Sequence, residues 1–391
     1  MSIPTRRSGT NTNTAGSKDL SFGNTTPKTG ETFFSQISGI SRSLANGSVI
    51  TVGVCYFENA PYIAVFKHTA EGEVDPNYQP VFIPATDFVE LFNLVIQPDG
   101  RPLLLFALGS AQIAMAVRFN VDGTTDSSFG DGGTRSLNTR IYPGLLPRSG
   151  LAVQPDGKIL VAFRNLSNSF IFQLDSDGTI INFGQQGPIT LNGTILTSLI
   201  LTSQGFVVGG YRGNQTLALG FDANGNPDSG FGNNGEVVLA QDNLAISDMA
   251  SGPQGSIGVV GTDRYSPQER NFITKLQPNG TPSQDFHQGN LLITDTGLGS
   301  YTDVVFQSDG KMVALARAEA KGRFVNLIRH TLTGLWDNTF GVDGVAEAYR
   351  DPQGRPLSAY VTQLELVQPN DKLQTSGYVS GGSYIARSLS D

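Results

Sequence analysis

A pattern that recurs seven times along the chain constrains the fold more than any other feature. Each copy begins with an apolar strand, continues through a polar turn that usually contains Gly, and returns through a second apolar strand. The turns stand at positions 46–47, 99–100, 156–157, 204–205, 254–255, 309–310 and 370–371, roughly 50 to 60 residues apart. A unit this short cannot bury both faces of its own sheet, so the copies must stack on one another.

A second landmark follows the third strand of the copies: an acidic residue, two variable residues, an aromatic residue and Gly. It is clearest at 126–130 (DSSFG), 228–232 (DSGFG) and 337–341 (DNTFG). In the sixth copy, the hydrophobic pattern predicts four strands, A at 302–307, B at 311–316, C at 324–330 and D at 342–349. Four-stranded units repeated seven times are typical of the blades of a β-propeller.

The two ends of the chain hold complementary parts of one copy. The last copy ends with its strand C in 383–391 (SYIARSLSD), without a landmark or strand D, and both missing parts stand near the N-terminus in 19–34. We therefore predict an all-β fold, a seven-bladed β-propeller of four-stranded antiparallel blades, in which residues 19–34 complete the last blade formed by 352–391. Residues 19–391 would be one domain, and residues 1–18 a polar arm that need not be ordered.

The repeated phrases also resemble a known family. Residues 154–161 (QPDGKILV) and 119–133 (FNVDGTTDSSFGDGG) are similar to the bacterial delta-sixty repeat, a β-propeller-type repeat, and the similarity runs from Asp19 to Asp391. The resemblance implies a propeller scaffold and no common activity.

Composition narrows the class of function. The chain has 26 Lys and Arg against 34 Asp and Glu, a net charge of −8. Nucleic-acid binding needs a clustered basic surface, so the predicted partner is a protein or a glycan and not a nucleic acid. A single cysteine, Cys55, excludes an intramolecular disulfide. No transmembrane segment and no secretory signal is predicted, which makes the cytoplasm the default compartment and leaves export without a cleavable signal open. The oligomeric state is left open.

A cation stands at the same place on strand C of several copies. These residues are Lys67, Arg118, Lys275, Arg329 and, in the split copy, Arg387. We expect such a cation to pair with the landmark Asp of its own blade, as a structural ion pair repeated with the fold.

The loops predict where a ligand binds. The A–B and C–D turns lie on one face of the ring and carry the repeating patterns, whereas the B–C loops on the other face vary in length and chemistry, as binding loops on a rigid scaffold do. Arginines recur near the ends of strand B, and their planar donors suit carboxylate, phosphate or sulfate groups. The predicted ligand-binding residues are Arg164, Arg212, Arg264, Tyr265, Arg317 and Arg323. The alternative is a set of surface arginines neutralised by adjacent acids.

A second group of polar residues lies on the innermost strands, seven positions before the turn Gly. These residues are Asn93, Ser198, Asp248 and Asp303. Oxygen ligands of this kind at the channel mouth would hold a divalent cation acting as a Lewis acid, although ordinary solvated lining is the alternative. Residues 222–228 (DANGNPD) suggest calcium but lack the spacing of an EF-hand loop, which favours a plain turn. No other cofactor is predicted.

The sequence therefore predicts a non-catalytic binding or interaction scaffold for a glycan, a protein or an anionic ligand, acting through the B–C face. It assigns no catalytic residue. The alternative function is a metal-assisted hydrolase or lactonase with the cation site at the central channel.

Overall fold

The chain forms seven antiparallel sheets arranged as a ring. The computed structural model describes residues 14–109, 113–140, 150–184, 187–265, 270–294, 297–318, 324–351, 363–368, 370–379 and 381–390. Within these ranges there is almost no helix, only two short 3₁₀ turns at Pro253–Gly255 and His287–Gly289. No helix of the described residues is both long and apolar enough to cross a membrane. The predicted all-β propeller with seven four-stranded blades is confirmed.

Each blade runs from strand A at the centre to strand D at the rim. Strand β1 (Glu31–Ser35) belongs to blade 7. Blades 1 and 2 contain β2 (Ser38–Ser43), β3 (Val49–Phe57), β4 (Ala60–His68), β5 (Val81–Pro84), β6 (Val89–Ile96), β7 (Pro102–Leu108), β8 (Ile113–Arg118) and β9 (Thr134–Arg140). Blades 3 and 4 contain β10 (Gly150–Val153), β11 (Ile159–Arg164), β12 (Asn168–Leu174), β13 (Ile180–Ile181), β14 (Ile189–Asn192), β15 (Thr194–Leu201), β16 (Gly205–Arg212), β17 (Gln215–Asp222) and β18 (Glu236–Ala240).

The remaining strands complete the ring. Blades 5 and 6 contain β19 (Leu244–Ser251), β20 (Ile257–Asp263), β21 (Asn271–Leu276), β22 (Leu292–Thr294), β23 (Ser300–Phe306), β24 (Met312–Ala318), β25 (Phe324–His330) and β26 (Val345–Arg350). Blade 7 contains β27 (Gln363–Val367), β28 (Lys372–Val379), β29 (Gly382–Ser388) and β1. In blade 3 strand D is divided, because β13 and β14 both pair with β12.

The A strands surround the axis and each contacts the A strands on both sides. The contacts run through β2, β6, β10, β15, β19, β23 and β27, and β27 contacts β2 again. A buried apolar cluster fills each gap between blades; the cluster between blades 2 and 3, for example, joins Leu105 and Phe129 to Val161 and Phe172. The smallest cluster lies between blades 7 and 1, where the buried residues are Phe22, Val49 and Ile385.

The N-terminal strand closes the ring as predicted. Strand β1 pairs antiparallel with β29, with Phe33 opposite Tyr384. The closure extends further toward the N-terminus than residue 19. Gly16 N–H donates to Leu389 O at 2.8 Å and Leu389 N–H donates to Ser17 O at 2.8 Å, the same pair of bonds that closes the C–D turn at Thr331 in blade 6. Residues 14–18 are therefore part of blade 7, and residues 1–13 of the predicted arm lie outside the described residues.

The landmark holds one blade against the next. Its Asp accepts a hydrogen bond from the backbone two residues later, as at Asp126 with Ser128 N–H (3.0 Å), and its aromatic ring is buried, as at Phe129. Its Gly N–H donates to the C–D turn of the following blade, as Gly130 does to Asp177 O at 2.7 Å. At the N-terminus, Gly23 N–H donates to Glu71 O of blade 1 at 2.8 Å. The split copy thus makes the same bond as the intact ones.

The predicted structural ion pairs are present in three blades. Lys67 pairs with Asp75 at 3.1 Å, Arg118 with Asp126 at 2.7 Å and Arg329 with Asp337 at 2.9 Å. In blade 7, Arg387 lies over the Phe22 ring at 4.3 Å while Lys372 pairs with Asp19 at 2.6 Å. Burial alone would raise the pKa of Asp337, but hydrogen bonds from Thr339 and Lys311 and the charge of Arg329 lower it to about 2.

Strand D of blade 6 begins later than predicted. Residues 342–344 form a tight turn closed by the bond from Val342 N–H to Val345 O, with positive φ at Asp343 and Gly344, and β26 starts at Val345. The predicted strand C at 324–330 coincides with β25.

Candidate functional site

The B–C face is the side of the ring formed by the B–C loops and the D–A connections. Two of its hairpins are tight two-residue turns, Glu58–Asn59 and Gly213–Asn214. Both Glu58 and Asn59 have positive φ, 49° and 67°, which matches the twist of a hairpin but is a strained conformation for Glu. The turn therefore fixes the direction of the two residues before it, Tyr56 and Phe57.

Exposed aromatic side chains are concentrated on this face. Of the described residues, the aromatic side chains that are substantially exposed are Tyr56, Phe57, Phe82, Phe88 and Tyr265. They belong to B–C loop ends, to the D–A connection after β5, or to the part of β5 beside Phe57. The opposite face exposes aliphatic side chains instead, such as Val121 and Leu335.

Four of the rings of blade 1 form one cluster. Phe57 contacts Tyr62 and Phe82 edge to face, with ring centroids 5.2 and 5.3 Å apart, and Phe82 contacts Phe66 at 5.7 Å. All four lie on the same side of the sheet, because Phe57 is opposite Ala60 and Phe82 is opposite Ala64. This cluster was not predicted from the sequence, where its signal is a pair of aromatic residues directly before a turn without Gly.

Two of the predicted arginines meet on one tyrosine. The Arg264 guanidinium lies over the Tyr211 ring at 4.0 Å and near the Tyr265 ring at 5.2 Å. Arg164, at the end of β11 in blade 3, has its guanidinium beside the Tyr211 side chain, which opposes the lowering of its pKa by burial. Blades 3, 4 and 5 are therefore connected through Arg164, Tyr211 and Arg264. Tyr211 was not among the predicted residues, although it directly precedes Arg212.

Arg212 and Arg317 do not join this group. Arg212 is neutralised by Glu236 of its own blade, with Nη1 to Oε2 at 3.0 Å, and its Nε donates to Thr194 Oγ1. Arg317 is only 7% exposed and lies below the surface. Arg323 lies outside the described residues. Of the predicted arginines that the structure describes, Arg164 and Arg264 are therefore the two that lie beside the same tyrosine.

Arg164 and Arg264 differ from the neighbouring arginines in the charges that surround them. Burial lowers the pKa of the Arg164 guanidinium, and the contact with Tyr211 opposes that shift. Arg270, in contrast, has carboxylate neighbours, Asp242 at 3.0 Å and Asp263 at 3.8 Å. Arg264 donates only to uncharged groups in the described part of the chain: to Gly213 O at 2.6 Å, Asn243 O at 3.2 Å and Asn243 Oδ1 at 3.4 Å.

The four polar residues of the innermost strands occupy equivalent places. In β6, β15, β19 and β23 the strand register shifts by one residue immediately before Asn93, Ser198, Asp248 and Asp303. A β-bulge redirects the following side chain. These four are called the bulge residues below.

Three of the bulge residues accept hydrogen bonds from the next blade. Ser198 Oγ accepts from Met249 N–H at 3.1 Å, Asp248 Oδ2 from Val304 N–H at 3.4 Å, and Asp303 Oδ2 from Leu364 N–H at 2.6 Å. Ser198 Oγ also donates to Asp248 Oδ1 at 2.9 Å. The oxygens of these three residues therefore connect neighbouring A strands. Their use as cation ligands stays a prediction.

The other candidates for metal binding or catalysis also have structural contacts. Asp222 accepts hydrogen bonds from Asn224 N–H and Asn226 N–H and from the Asn226 side chain, which is the pattern of a turn. His330 is fully buried and its Nδ1 donates to Gly334 O at 3.0 Å. His68 packs its ring against Phe34 at 5.1 Å. In the described part of the chain, no three His, Cys, Asp or Glu residues form a group suited to a metal ion.

The chain is similar to several solved structures at low sequence identity. Polysaccharide lyase Uly1 is 10% identical and superposes with a TM-score of 0.51, covering 90% of each chain. An uncharacterized protein from Listeria monocytogenes EGD-e is 11% identical with a TM-score of 0.45, covering 88% of this chain and 90% of that one. Domains 1–2 of Drosophila Semaphorin 1b are 11% identical with a TM-score of 0.45, covering 96% and 88%.

At the level of sequence, no family model matches the chain, and no curated protein matches it either. The structural similarities are at identities that establish the fold alone. A fold does not determine a function, so the likeness to a polysaccharide lyase assigns no role to this chain.

Proposed function

We propose that this protein is a non-catalytic binding scaffold that captures a glycan, a protein or an anionic ligand through its B–C face. The repeats are proposed to be of the delta-sixty type, which would make the propeller the scaffold and leave the loops to set specificity.

The distribution of exposed aromatic side chains is the observation that carries this proposal. Aromatic residues combine a large apolar surface with few rotatable bonds, and they are enriched where proteins bind ligands. A scaffold with no ligand on either face would have no reason to collect Tyr56, Phe57, Phe82, Phe88 and Tyr265 on one of them. The short hairpin turns add rigidity, which lowers the entropy lost on binding.

The contacts of the titratable residues favour binding over catalysis. Asp248 and Asp303 bond to backbone N–H groups of the next blade, and His68 and His330 are buried among structural partners. General acid–base work requires a group that reaches the substrate. The described contacts of these four residues stabilise the ring.

A binding experiment with variants on opposite faces tests the proposal. Wild-type protein is applied to an array of neutral and acidic glycans and to an array of peptides, beside the variant Phe57→Ser/Tyr265→Ser on the B–C face. The matched control is Val121→Ser/Leu335→Ser, which removes exposed apolar side chains from the opposite face. We expect at least a 10-fold loss of the array signals in the first variant and no loss in the control.

Two results would contradict the proposal. One is a wild-type protein that binds no glycan and no peptide on either array. The other is a signal that the opposite-face variant abolishes and the B–C variant retains.

A further inference from the structure

Resting on the proposed function, we infer that Arg164, Tyr211, Arg264 and Tyr265 form a subsite for the carboxylate of one acidic sugar unit of a glycan. The four residues come from blades 3, 4 and 5, and they are called the Tyr211 subsite below. The ligand of the B–C face would then be an acidic glycan.

The charges of Arg164 and Arg264 favour an anionic ligand. In the part of the chain that the structure describes, neither Arg164 nor Arg264 forms an ion pair, whereas Arg212 pairs with Glu236 and Arg270 with Asp242. Arg264 lies over the Tyr211 ring and Arg164 lies beside the same side chain, so the two cations repel each other, and Arg164 is partly withdrawn from water. An anion between them would relieve both costs.

The guanidinium groups of these two arginines also have N–H donors without hydrogen-bond partners among the described residues. A guanidinium has five N–H donors. Arg264 uses Nε and Nη2 on Gly213 O and on the backbone and side-chain oxygens of Asn243, which fixes the plane of the group while its Nη1 has no partner among the described residues. Arg164 Nε is buried without a hydrogen-bond partner in the same set. Donors that are held in place and unpaired suit a planar carboxylate.

An exposed aromatic ring beside the arginines favours a sugar as the carrier of the anion. The Tyr265 side chain is 74% exposed and stands beside the Arg264 guanidinium. A pyranose ring has an apolar C–H face that packs on an aromatic ring, and a uronic acid carries its carboxylate at the edge of that ring. One acidic sugar thus matches both parts of the Tyr211 subsite.

Other anionic macromolecules match it less well. Nucleic acids require many aligned cations, and among the described residues two arginines without an ion pair lie here on a chain of net charge −8. An acidic peptide would supply carboxylates on flexible side chains and no flat apolar ring for Tyr265. The glycan uses every residue of the subsite.

The test compares one sugar chain in charged and uncharged form. Calorimetric titration measures the affinity of oligogalacturonate and of its methyl ester, which lacks the carboxylate charge and carries one added methyl group per sugar. We expect wild-type protein to bind the acid at least 10-fold more tightly than the ester. Arg264→Gln should remove that preference and leave ester binding within about 2-fold. Arg212→Gln is the matched control, because Arg212 adjoins Tyr211 but is already paired with Glu236, and it should keep the preference.

The second arginine has its own pair of variants. Arg164→Gln should act like Arg264→Gln, and Arg164→Lys, which keeps the charge in the half-buried site, should retain part of the preference for the acid. Thermal unfolding of each variant verifies that it is folded before its affinity is interpreted.

The outcomes separate this inference from the proposed function. Equal affinity for acid and ester, or a preference that survives Arg264→Gln, overturns the Tyr211 subsite while binding through the B–C face stands. A glutamate-rich peptide that binds more tightly than oligogalacturonate with the same arginine dependence overturns the glycan assignment. No binding to any glycan or peptide array overturns the proposed function itself.

Discussion

At the residue scale, burial decides which side chains are able to respond to pH. Burial lowers the pKa of His68 and of His330 from 6.5 to about 4 in each case. Both residues are almost completely shielded, His68 between blades 1 and 7 and His330 beside Tyr301. Their protonation in the folded state is therefore costly, while in the unfolded chain it occurs near pH 6.5.

This difference predicts a loss of stability in mild acid. The lowered folded-state pKa makes the stabilisation complete above pH 6.5, because both states are then neutral. As the pH falls from 6.5 to 4, the unfolded state binds protons that the folded state excludes, so the free energy of unfolding should decrease by about 3 kcal/mol per histidine. Urea titrations at pH 7 and pH 4.5 measure the change.

The matched variant is His68→Phe, which retains an aromatic ring against Phe34. It should show a smaller decrease between the two pH values than the wild type. An identical decrease in the variant would contradict the assignment of His68 as one of the titrating groups.

At the element scale, the bulges on the A strands are the features that connect blade to blade near the axis. Each bulge residue sits at the same register, and three of them bond to the A strand of the following blade. A bulge conserves the strand pairing on one side while it turns a polar side chain toward the neighbour. Hydrogen bonds of this kind supplement the apolar clusters that fill the gaps farther out.

Removing one such bond should cost stability. Asp303→Ala leaves the Leu364 N–H without its acceptor, and we expect the free energy of unfolding to fall by about 1–3 kcal/mol. Asp303→Asn keeps an acceptor oxygen and should cost less. Urea unfolding measures both variants, and the results should be the same with calcium as with a chelator.

Calcium is the condition that separates the two interpretations of the bulge residues. A wild-type protein whose unfolding temperature rises with calcium, with the rise lost in Asp303→Asn, would contradict the purely structural role. That result would support the cation site of the alternative hydrolase hypothesis.

At the scale of the whole molecule, closure depends on the N-terminal residues. The gap between blades 7 and 1 has the smallest apolar cluster, and polar contacts supplement it. Thr32 Oγ1 donates to Gly72 O at 2.6 Å, and Arg387 donates to Ala70 O and to Gly47 O, each at 2.6 Å. The Thr32 contact needs β1 to be in place, and the Arg387 guanidinium packs on Phe22 of the N-terminal segment.

Deletion of residues 1–35 tests this dependence. The truncated chain would lose β1 and the landmark at Phe22, and would expose the edge of β29, so we expect it to unfold at lower urea concentration or to aggregate. A synthetic peptide of residues 14–36 should restore stability when added in trans. A truncated protein as stable as the full chain would contradict closure by the N-terminus.

Most of the ring was predictable from the sequence, because the length of the repeat and its pattern of strands and turns predict one blade for each copy. A polar turn recurs in all seven copies and the landmark is clear in three of them, and the split copy predicts that residues 19–34 complete the last blade, as the pairing of β1 with β29 shows. Residues 14–18 were not recognised as part of blade 7, since a C–D turn divided between the two termini has no contiguous pattern. The start of β26 was misplaced because Val342 continues the apolar pattern into a turn.

The candidate site was only partly predictable, for a physical reason. Arginines at equivalent positions share a register, but their partners lie in neighbouring blades or on strand D, as Glu236 does for Arg212. Those contacts decide whether a guanidinium is neutralised, is buried like Arg317, or lacks an ion pair among the described residues like Arg264. Tyr211 connects two blades without any repeated signal of its own.

Hydrogen–deuterium exchange of the protein with and without its tightest ligand from the glycan and peptide arrays tests the central claim most directly, because it reports protection at every backbone amide of the ring. Binding through the B–C face predicts that protection increases in the segments 56–61, 85–90, 211–215 and 262–271. It also predicts unchanged exchange in the A–B and C–D turns. Protection confined to those turns, on the opposite face, would contradict the account.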